Sequence, residues 1–187
     1  MNSSNESILQ STVITESGEN VLFSSLFDNI TLCIFLRHWG CAECNLLLHT
    51  LTPRLSELID LQVHILFVGL GSAEGISEFR SKHQLKQERV SIVTDPTLSI
   101  HKKIGLERGL WQVQGPKGYF NRLKLQLQGF PNQTGDGDNL QQGGAMLFDQ
   151  NLKILWQHRN NHFGDILNTN ELMNAVLMAS VSKSTSN

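Results

Sequence analysis

Apolar residues in this chain fall in short dense runs separated by turn-forming clusters, and the spacing within each run predicts an element. Thr31 to His38 is β-branched and apolar, long enough for a buried strand. From Asn45 to Asp60, Leu46, Leu47, Leu51, Leu55, Leu58 and Ile59 recur at helical spacing, with Pro53 placed to interrupt and kink the helix. Val63 to Val68 is a second apolar strand ending at Gly69-Leu70-Gly71, and Ala73 to His83 reads as the next helix. Ser91 to Thr94 forms a short third strand, closed by Asp95-Pro96 and followed by a helix from Thr97 to about Ile104. Near the end, Ala145 to Phe148 and Lys153 to Trp156 flank Asp149-Gln150-Asn151 as a hairpin, and Asn170 to Ala179 forms a terminal helix. Upstream, Ser17-Gly18-Glu19-Asn20 splits the apolar runs of Ile8 to Phe27 in a hairpin-like way. The order β-α-β-α-β-α, then a β-hairpin, then α predicts an α/β fold with a parallel sheet covered by helices.

One stretch breaks the rhythm. Val113 to Gly144 holds seven glycines and runs such as Gly135-Asp136-Gly137-Asp138-Asn139, too long for an ordinary loop. It reads as an insertion near the site, a lid or a substrate wall, with Tyr119 to Phe130 as a short amphipathic element inside it. A single domain over residues 1–187 is expected, its core at about 21–179, with flexible termini at 1–7 and 180–187.

Composition narrows the function. With 40% hydrophobic residues and a formal net charge of −2, the chain can bury a core and offers no basic footprint for nucleic acid or an anionic membrane. No apolar run approaches the roughly 20 residues of a membrane span, and Met1 to Gln10 lacks the basic and apolar regions of a secretory signal. Three cysteines, two of them in one motif, point to a reducing compartment, so a cytoplasmic protein is expected.

That motif is Cys41-Ala42-Glu43-Cys44, at the junction between the first buried strand and the leucine-rich helix. Positions i and i+3 on a first helical turn share a face, roughly 5–6 Å apart, which suits a disulfide. Unpaired amides and the positive dipole end favour a thiolate there, so Cys41 is expected to attack and Cys44 to resolve. Arg37 and His38 stand just upstream as sources of positive potential, although strand alternation lets only one of them share the face used by Trp39, while Glu43 opposes a second anion on sulfur; the expected thiol is less acidic than its position alone would set.

Taken together, Leu36-Arg37-His38-Trp39-Gly40-Cys41-Ala42-Glu43-Cys44 after a strand, Asp95-Pro96 before a helix, Gly105-Leu106-Glu107-Arg108-Gly109, and Gln142-Gly143-Gly144 before the hairpin resemble the peroxiredoxin-like AhpC/TSA-type proteins of the thioredoxin superfamily. The resemblance covers about Val21 to Ala179. It implies a thioredoxin-like fold, a central mixed sheet of parallel strands plus a C-terminal antiparallel hairpin flanked by helices. The implied activity is that of a thiol-disulfide oxidoreductase or peroxidase-like antioxidant protein reducing a hydroperoxide or disulfide. Cys41 and Cys44 carry it, supported by Arg37, His38, Trp39, Gly40, Glu43, Arg108 and Gly143. No cofactor or metal is implied beyond an external dithiol reductant such as a thioredoxin or glutathione system, and a homodimer is the assembly considered. The chain departs from the family twice. Ala42-Glu43 replaces the usual Gly-Pro of thioredoxins, and Gln142-Gly143-Gly144 stands where a cis-proline is usual. In the peroxiredoxin register Cys41 takes the threonine place and Cys44 the peroxidatic one, so the resemblance leaves the attacking sulfur open.

Weaker signals stand beside this one. Gly69-Leu70-Gly71 begins like a dinucleotide fingerprint, but Glu74 falls on the third glycine position, leaving a tight turn as the plainer reading. Cys41, Cys44, His158 and His162 supply four zinc-type ligands at a spacing unlike a zinc finger. Asp136 and Asp138 match only a fragment of a calcium loop, Cys33 reads as a buried hydrophobe, and Trp111 and Phe120 are candidates to line an apolar pocket. A non-enzymatic redox switch or binding protein on the same fold is the alternative from another functional class.

Overall fold

The computed structural model describes residues 8, 10–106, 108–109, 115–131 and 137–184. Seven strands form one mixed sheet: β1 (Thr12–Thr15), β2 (Asn20–Leu22), β3 (Ile30–Phe35), β4 (His64–Gly69), β5 (Val90–Thr94), β6 (Gly144–Asp149) and β7 (Ile154–Arg159), in the order β2-β1-β5-β4-β3-β6-β7. The three central strands, β5, β4 and β3, run parallel; β6 pairs antiparallel with β3 and β7 with β6. This is the expected mixed thioredoxin-like sheet. The β1-β2 hairpin foreseen at Ser17 to Asn20 also joins it, antiparallel to β5.

Every residue of β3 is buried. Leu32, Ile34 and Leu36 face one core with Leu48, Leu51, Phe67, Phe79, Leu172 and Val176, whereas Cys33 and Phe35 face a second core with Phe23, Ile100, Ile104 and Phe148. Because helices cover both faces, the strand needs a continuous apolar run rather than an alternating one. Each large side chain so buried contributes about 1.5–3 kcal/mol, and the two cores fix the strand's end, Phe35, from which the chain runs on to the cysteine motif.

The helices are α1 (Ala42–Leu51), α2 (Leu55–Asp60), α3 (Glu74–Lys82), α4 (Ser99–Lys103), α5 (Pro116–Leu127) and α6 (Thr169–Ser184). Pro53 does break the leucine-rich helix: Thr52–Arg54 is a single 3-10 turn between α1 and α2. Helix α4 begins at Ser99, two residues after the expected Thr97, with Leu98 as its cap; Asp95 lies ahead of it, its carboxylate accepting from the amides of Ser99 at 3.0 Å and Ile100 at 2.8 Å and from the His101 ring at 3.0 Å. In the β6-β7 hairpin Asp149 Oδ1 accepts from the amides of Asn151 and Lys153, both at 2.9 Å. Helix α6 continues to Ser184, taking in part of the tail expected to be flexible at 180–187. The amphipathic element expected at 119–130 is α5. Trp111, Asp136 and residues 1–7 lie outside the described residues.

The glycines after β4 have a packing reason unrelated to nucleotides. A Cβ on Gly69 would lie 2.1 Å from the Trp39 ring, and one on Gly75 would lie 2.5 Å from it. The indole occupies the slot between them, donates from Nε1 to Ser72 O at 3.1 Å and packs against Phe79 at 4.9 Å between ring centroids. Trp39 is thus a wedge beneath the turn that leads to Cys41.

Two opposing effects meet at Gly75, in the first turn of α3. Gly75→Ala gains up to about 1 kcal/mol of helix propensity but collides with the indole, an overpacking cost of about 1–3 kcal/mol. Urea denaturation is expected to show net destabilisation in the wild-type background and stabilisation in a Trp39→Ala background; the same sign in both would refute the slot.

Candidate active site

Cys41 is the N-cap of α1, with extended backbone (φ −68°, ψ 127°), and its carbonyl accepts from the Asn45 amide at 3.0 Å. Cys44 lies one turn along, and Gly40 is buried in the turn before them. Both cysteines are buried, Cys41 fully. The two sulfurs lie close enough to shift each other's proton affinity, in opposite directions. The structure thus places Cys41 at the cap of α1 and Cys44 in its first turn.

The cation beside them is Arg37, itself buried. Its Nη1 lies 3.8 Å from Cys41 Sγ and donates to Glu43 Oε2 at 2.8 Å; Nε donates to Gln141 O at 2.8 Å, and Nη2 donates to Asn139 O. The guanidinium also sits 5.1 Å from the centroid of the Phe163 ring. Glu43 Oε1 accepts from the Gly164 amide. A Cβ on Gly164 would come within 2.9 Å of three Asn121 side-chain atoms, and its φ of +88° favours glycine, so the chain passes close to α5 there.

Electrostatics separates the two sulfurs. Burial pushes the Cys41 thiol up, but the neighbouring Cys44 and the Arg37 charge outweigh burial and leave it below its ordinary value. Cys44 moves the opposite way, raised by the neighbouring Cys41 and by burial. Glu43 opposes Cys41 as expected, yet its carboxylate is held by Arg37, and the net direction for Cys41 is downward. Burial raises Glu43 itself, against the pull of Arg37. Arg37 stays protonated: burial lowers its affinity for the proton, while the charges of Cys41 and Glu43 raise it further.

The other expected residues fall in different places. Gly143 lines a cavity of about 10 Å³ with Cys44, Arg37, Glu43 and Phe35; a Cβ there would meet Phe35 O at 2.7 Å, so only glycine fits. Arg108 does not reach the sulfurs in any described contact. Its Nε donates to Asp138 Oδ2 at 2.5 Å, and it is half-exposed. Asp138 in turn accepts from the Leu140 amide, so Arg108 braces the loop whose carbonyls Arg37 grips. Phe120 points outward, 69% exposed, rather than into a pocket. Cys33 is fully buried in the second core, as expected. The four zinc-type ligands are not brought together: His158 Nε2 lies 3.6 Å from Asp165, and no group of three or more His, Cys, Asp and Glu side chains among the described residues is arranged to hold a metal. Sequence reading missed Asn139, Gln141, Phe163 and Gly164, three of which act through backbone groups and leave no side-chain signature.

His38 is fully buried beside Gly137, with both ring nitrogens unpartnered among the described residues. Burial first, then the Arg37 charge, lowers its pKa from 6.5 to about 4, so it is neutral at physiological pH.

Comparison with known proteins follows the geometry. The profile of the AhpC/TSA antioxidant enzyme family matches residues 48–162, more than half of the chain and immediately downstream of the cysteine motif. The chain is similar to peroxiredoxin-like 2C of Mus musculus, 28% identical over 162 residues that cover 80% of this chain and 70% of that protein. Among solved structures, its fold matches the peroxidoxin BcpB of Mycobacterium tuberculosis with a TM-score of 0.62, at 10% identity and over 91% of this chain and 92% of that one. It matches the bacterioferritin comigratory protein of Xanthomonas campestris with a TM-score of 0.63, at 11% identity, covering 95% and 94%.

The depressed His38 value predicts an acid-side loss of stability. An unfolded chain protonates this imidazole below pH 6.5, whereas the folded one does not until about 4. The stabilisation is complete above the unfolded value and falls as pH drops through that window. Urea midpoints measured against pH should fall less steeply in His38→Gln than in the wild type; identical slopes would show that His38 does not titrate this way.

Proposed function

The chain belongs to the AhpC/TSA antioxidant enzyme family, and from that footing we propose that it is a peroxiredoxin-like thiol oxidoreductase that reduces a hydroperoxide, or a disulfide, through Cys41 and Cys44. The observation that carries this reading is the Arg37 guanidinium 3.8 Å from the sulfur of Cys41, at a helix N-cap. That position stabilises a thiolate on Cys41, and the same environment keeps Cys44 protonated.

The chemistry then runs in three balanced steps. The Cys41 thiolate attacks the terminal oxygen of the hydroperoxide; an S–O bond forms, the O–O bond breaks, and the departing alkoxide takes a proton to become an alcohol. Cys44 loses its proton and attacks the resulting sulfenic acid, forming the disulfide and releasing water. An external dithiol, of the thioredoxin or glutathione kind, reduces the disulfide by exchange and is itself oxidised. With a disulfide substrate, Cys41 forms a mixed disulfide that Cys44 resolves. Arg37 supplies the positive field at the reacting sulfur, and Gly143 allows β6 to approach Phe35 beside Cys44. The reading includes one functional domain in a reducing, cytoplasmic setting, with no nucleic-acid or membrane partner. No helix among the described residues is long and apolar enough to cross a membrane. The full burial of Cys41 favours one alternative, a slow redox switch that forms the same disulfide without turning over substrate.

Cysteine variants test the assignment. Cys44→Ser should accumulate sulfenic acid on Cys41 after brief peroxide treatment, trapped by dimedone and located by mass spectrometry. Cys41→Ser should lose hydroperoxide turnover by more than roughly 10³-fold. Trapping on Cys44 in the Cys41→Ser protein, with turnover retained, would reverse the roles. A reversible disulfide with no turnover of any hydroperoxide or disulfide would leave the switch.

A further inference from the structure

Glu43 is a buried acid that stands between the two cysteines in the sequence, and its contacts give it more to do than cap a charge. Its Oε2 shares the Arg37 Nη1 nitrogen with Cys41 Sγ, at 2.8 Å and 3.8 Å. One cation therefore serves two groups that each become negative on losing a proton. The charged groups around them come from several parts of the chain. From α1 come Cys41 and Cys44, and from the segment after β3 comes Arg37. From the segment after β7 comes Asp165, whose charge opposes that on Glu43 and which lies 3.6 Å from His158 of β7. From α5 comes Arg122, but it faces the Phe163 ring, 5.1 Å from the centroid.

In the disulfide state the sulfurs carry no charge, and Arg37 and Glu43 balance. Reduction that leaves Cys41 as a thiolate places a second anion on the same nitrogen, in a pocket closed to solvent. Like charges so placed cannot both persist cheaply. Resting on the dithiol reading above, we propose that Glu43 is a redox-linked proton site, taking up a proton when the Cys41–Cys44 disulfide is reduced and releasing it when the disulfide forms. The step balances: the external dithiol gives two electrons and two protons and becomes a disulfide; the Cys41–Cys44 bond breaks; one proton goes to Cys44, the other to Glu43, and Cys41 remains a thiolate. Glu43 is a positioning residue in this scheme, since it acts on the reacting sulfur through Arg37.

Two readouts test this without relying on activity. Reduced-minus-oxidised infrared difference spectra of the wild-type protein, recorded in slightly acid to neutral buffer, should show a neutral carboxyl C=O band appearing on reduction; its absence overturns the proposal even if no variant folds. The equilibrium with dithiothreitol, measured against pH over the same range, gives the proton count. The wild type, taking up two protons per disulfide, should show a constant that is flat with pH. Glu43→Gln, taking up one, should shift toward the reduced form by about tenfold per pH unit. Glu43→Asp, which keeps the carboxylate, should restore the flat profile, with circular dichroism confirming that each variant is folded. Equal slopes in the wild type and Glu43→Gln refute the role of Glu43. Failure of the wild type to form an intramolecular disulfide refutes the dithiol reading instead.

Discussion

A guanidinium taken out of water has to be met by partners, and the structure around Arg37 is organised by that demand. Breaking a buried pair by removing one member typically costs about 3–5 kcal/mol, so each group that answers Arg37 is held in place by it. Those groups come from distant parts of the chain: Glu43 in α1, the carbonyls of Asn139 and Gln141 before β6, and the Phe163 ring after β7. Phe163 also packs on Ala42 of α1, and the segment before β6 is tied to both through Arg37. The cation joins them, and the sulfur of Cys41 sits at the edge of the same set of contacts. Positioning and activation of that sulfur are consequently one interaction rather than two.

The rest of the fold serves to put Arg37 and Cys41 in register. Strand β3 is clamped between two cores, so its end cannot drift. Trp39, wedged against Gly69 and Gly75, fixes the turn that carries the chain from strand to helix. Further out, Arg108 and Asp138 hold the loop that presents the two carbonyls. Gly69, Gly75, Arg108 and Asp138 lie within the span matched by the family profile, whereas β3, Arg37, Trp39 and the cysteines precede it.

Local pattern made much of this legible. The buried strand at Thr31, the helix break at Pro53, the Asp95 contacts to α4 and the Asp149 hairpin all rest on short-range chemistry that reads directly from neighbouring residues. The placement of Cys41 and Cys44 at a helix start belongs to the same class. What sequence could not show was long-range. Arg37 reads as a residue near a motif, and nothing in the letters says that it will meet Glu43 six positions on or carbonyls a hundred positions away. The partners of Arg37 at 139, 141 and 163 contribute backbone oxygens and a ring face, which carry no motif. Arg108 illustrates the converse: its neighbourhood suggested a role at the sulfur, whereas the exposed side chain found Asp138. The glycines after β4 were recognised as a turn, but their cause, the indole of a residue thirty positions upstream, becomes visible only in three dimensions.

The burial of Cys41 has a kinetic consequence. A nucleophile with no exposed surface reacts only from those members of the ensemble in which its covering has parted, so the observed rate constant is the intrinsic one multiplied by the open fraction. Cys41 is enclosed by the core that holds Leu36, Trp39, Cys44 and Leu48, and Leu125 of α5 packs with Ala42 and Phe163 at the start of the helix that Cys41 caps. On the proposed chemistry, selectivity among oxidants is then exercised twice, once by who can enter and again by who can react. A bulky thiol reagent and a small peroxide would rank differently on this protein than on a free cysteine of the same acidity.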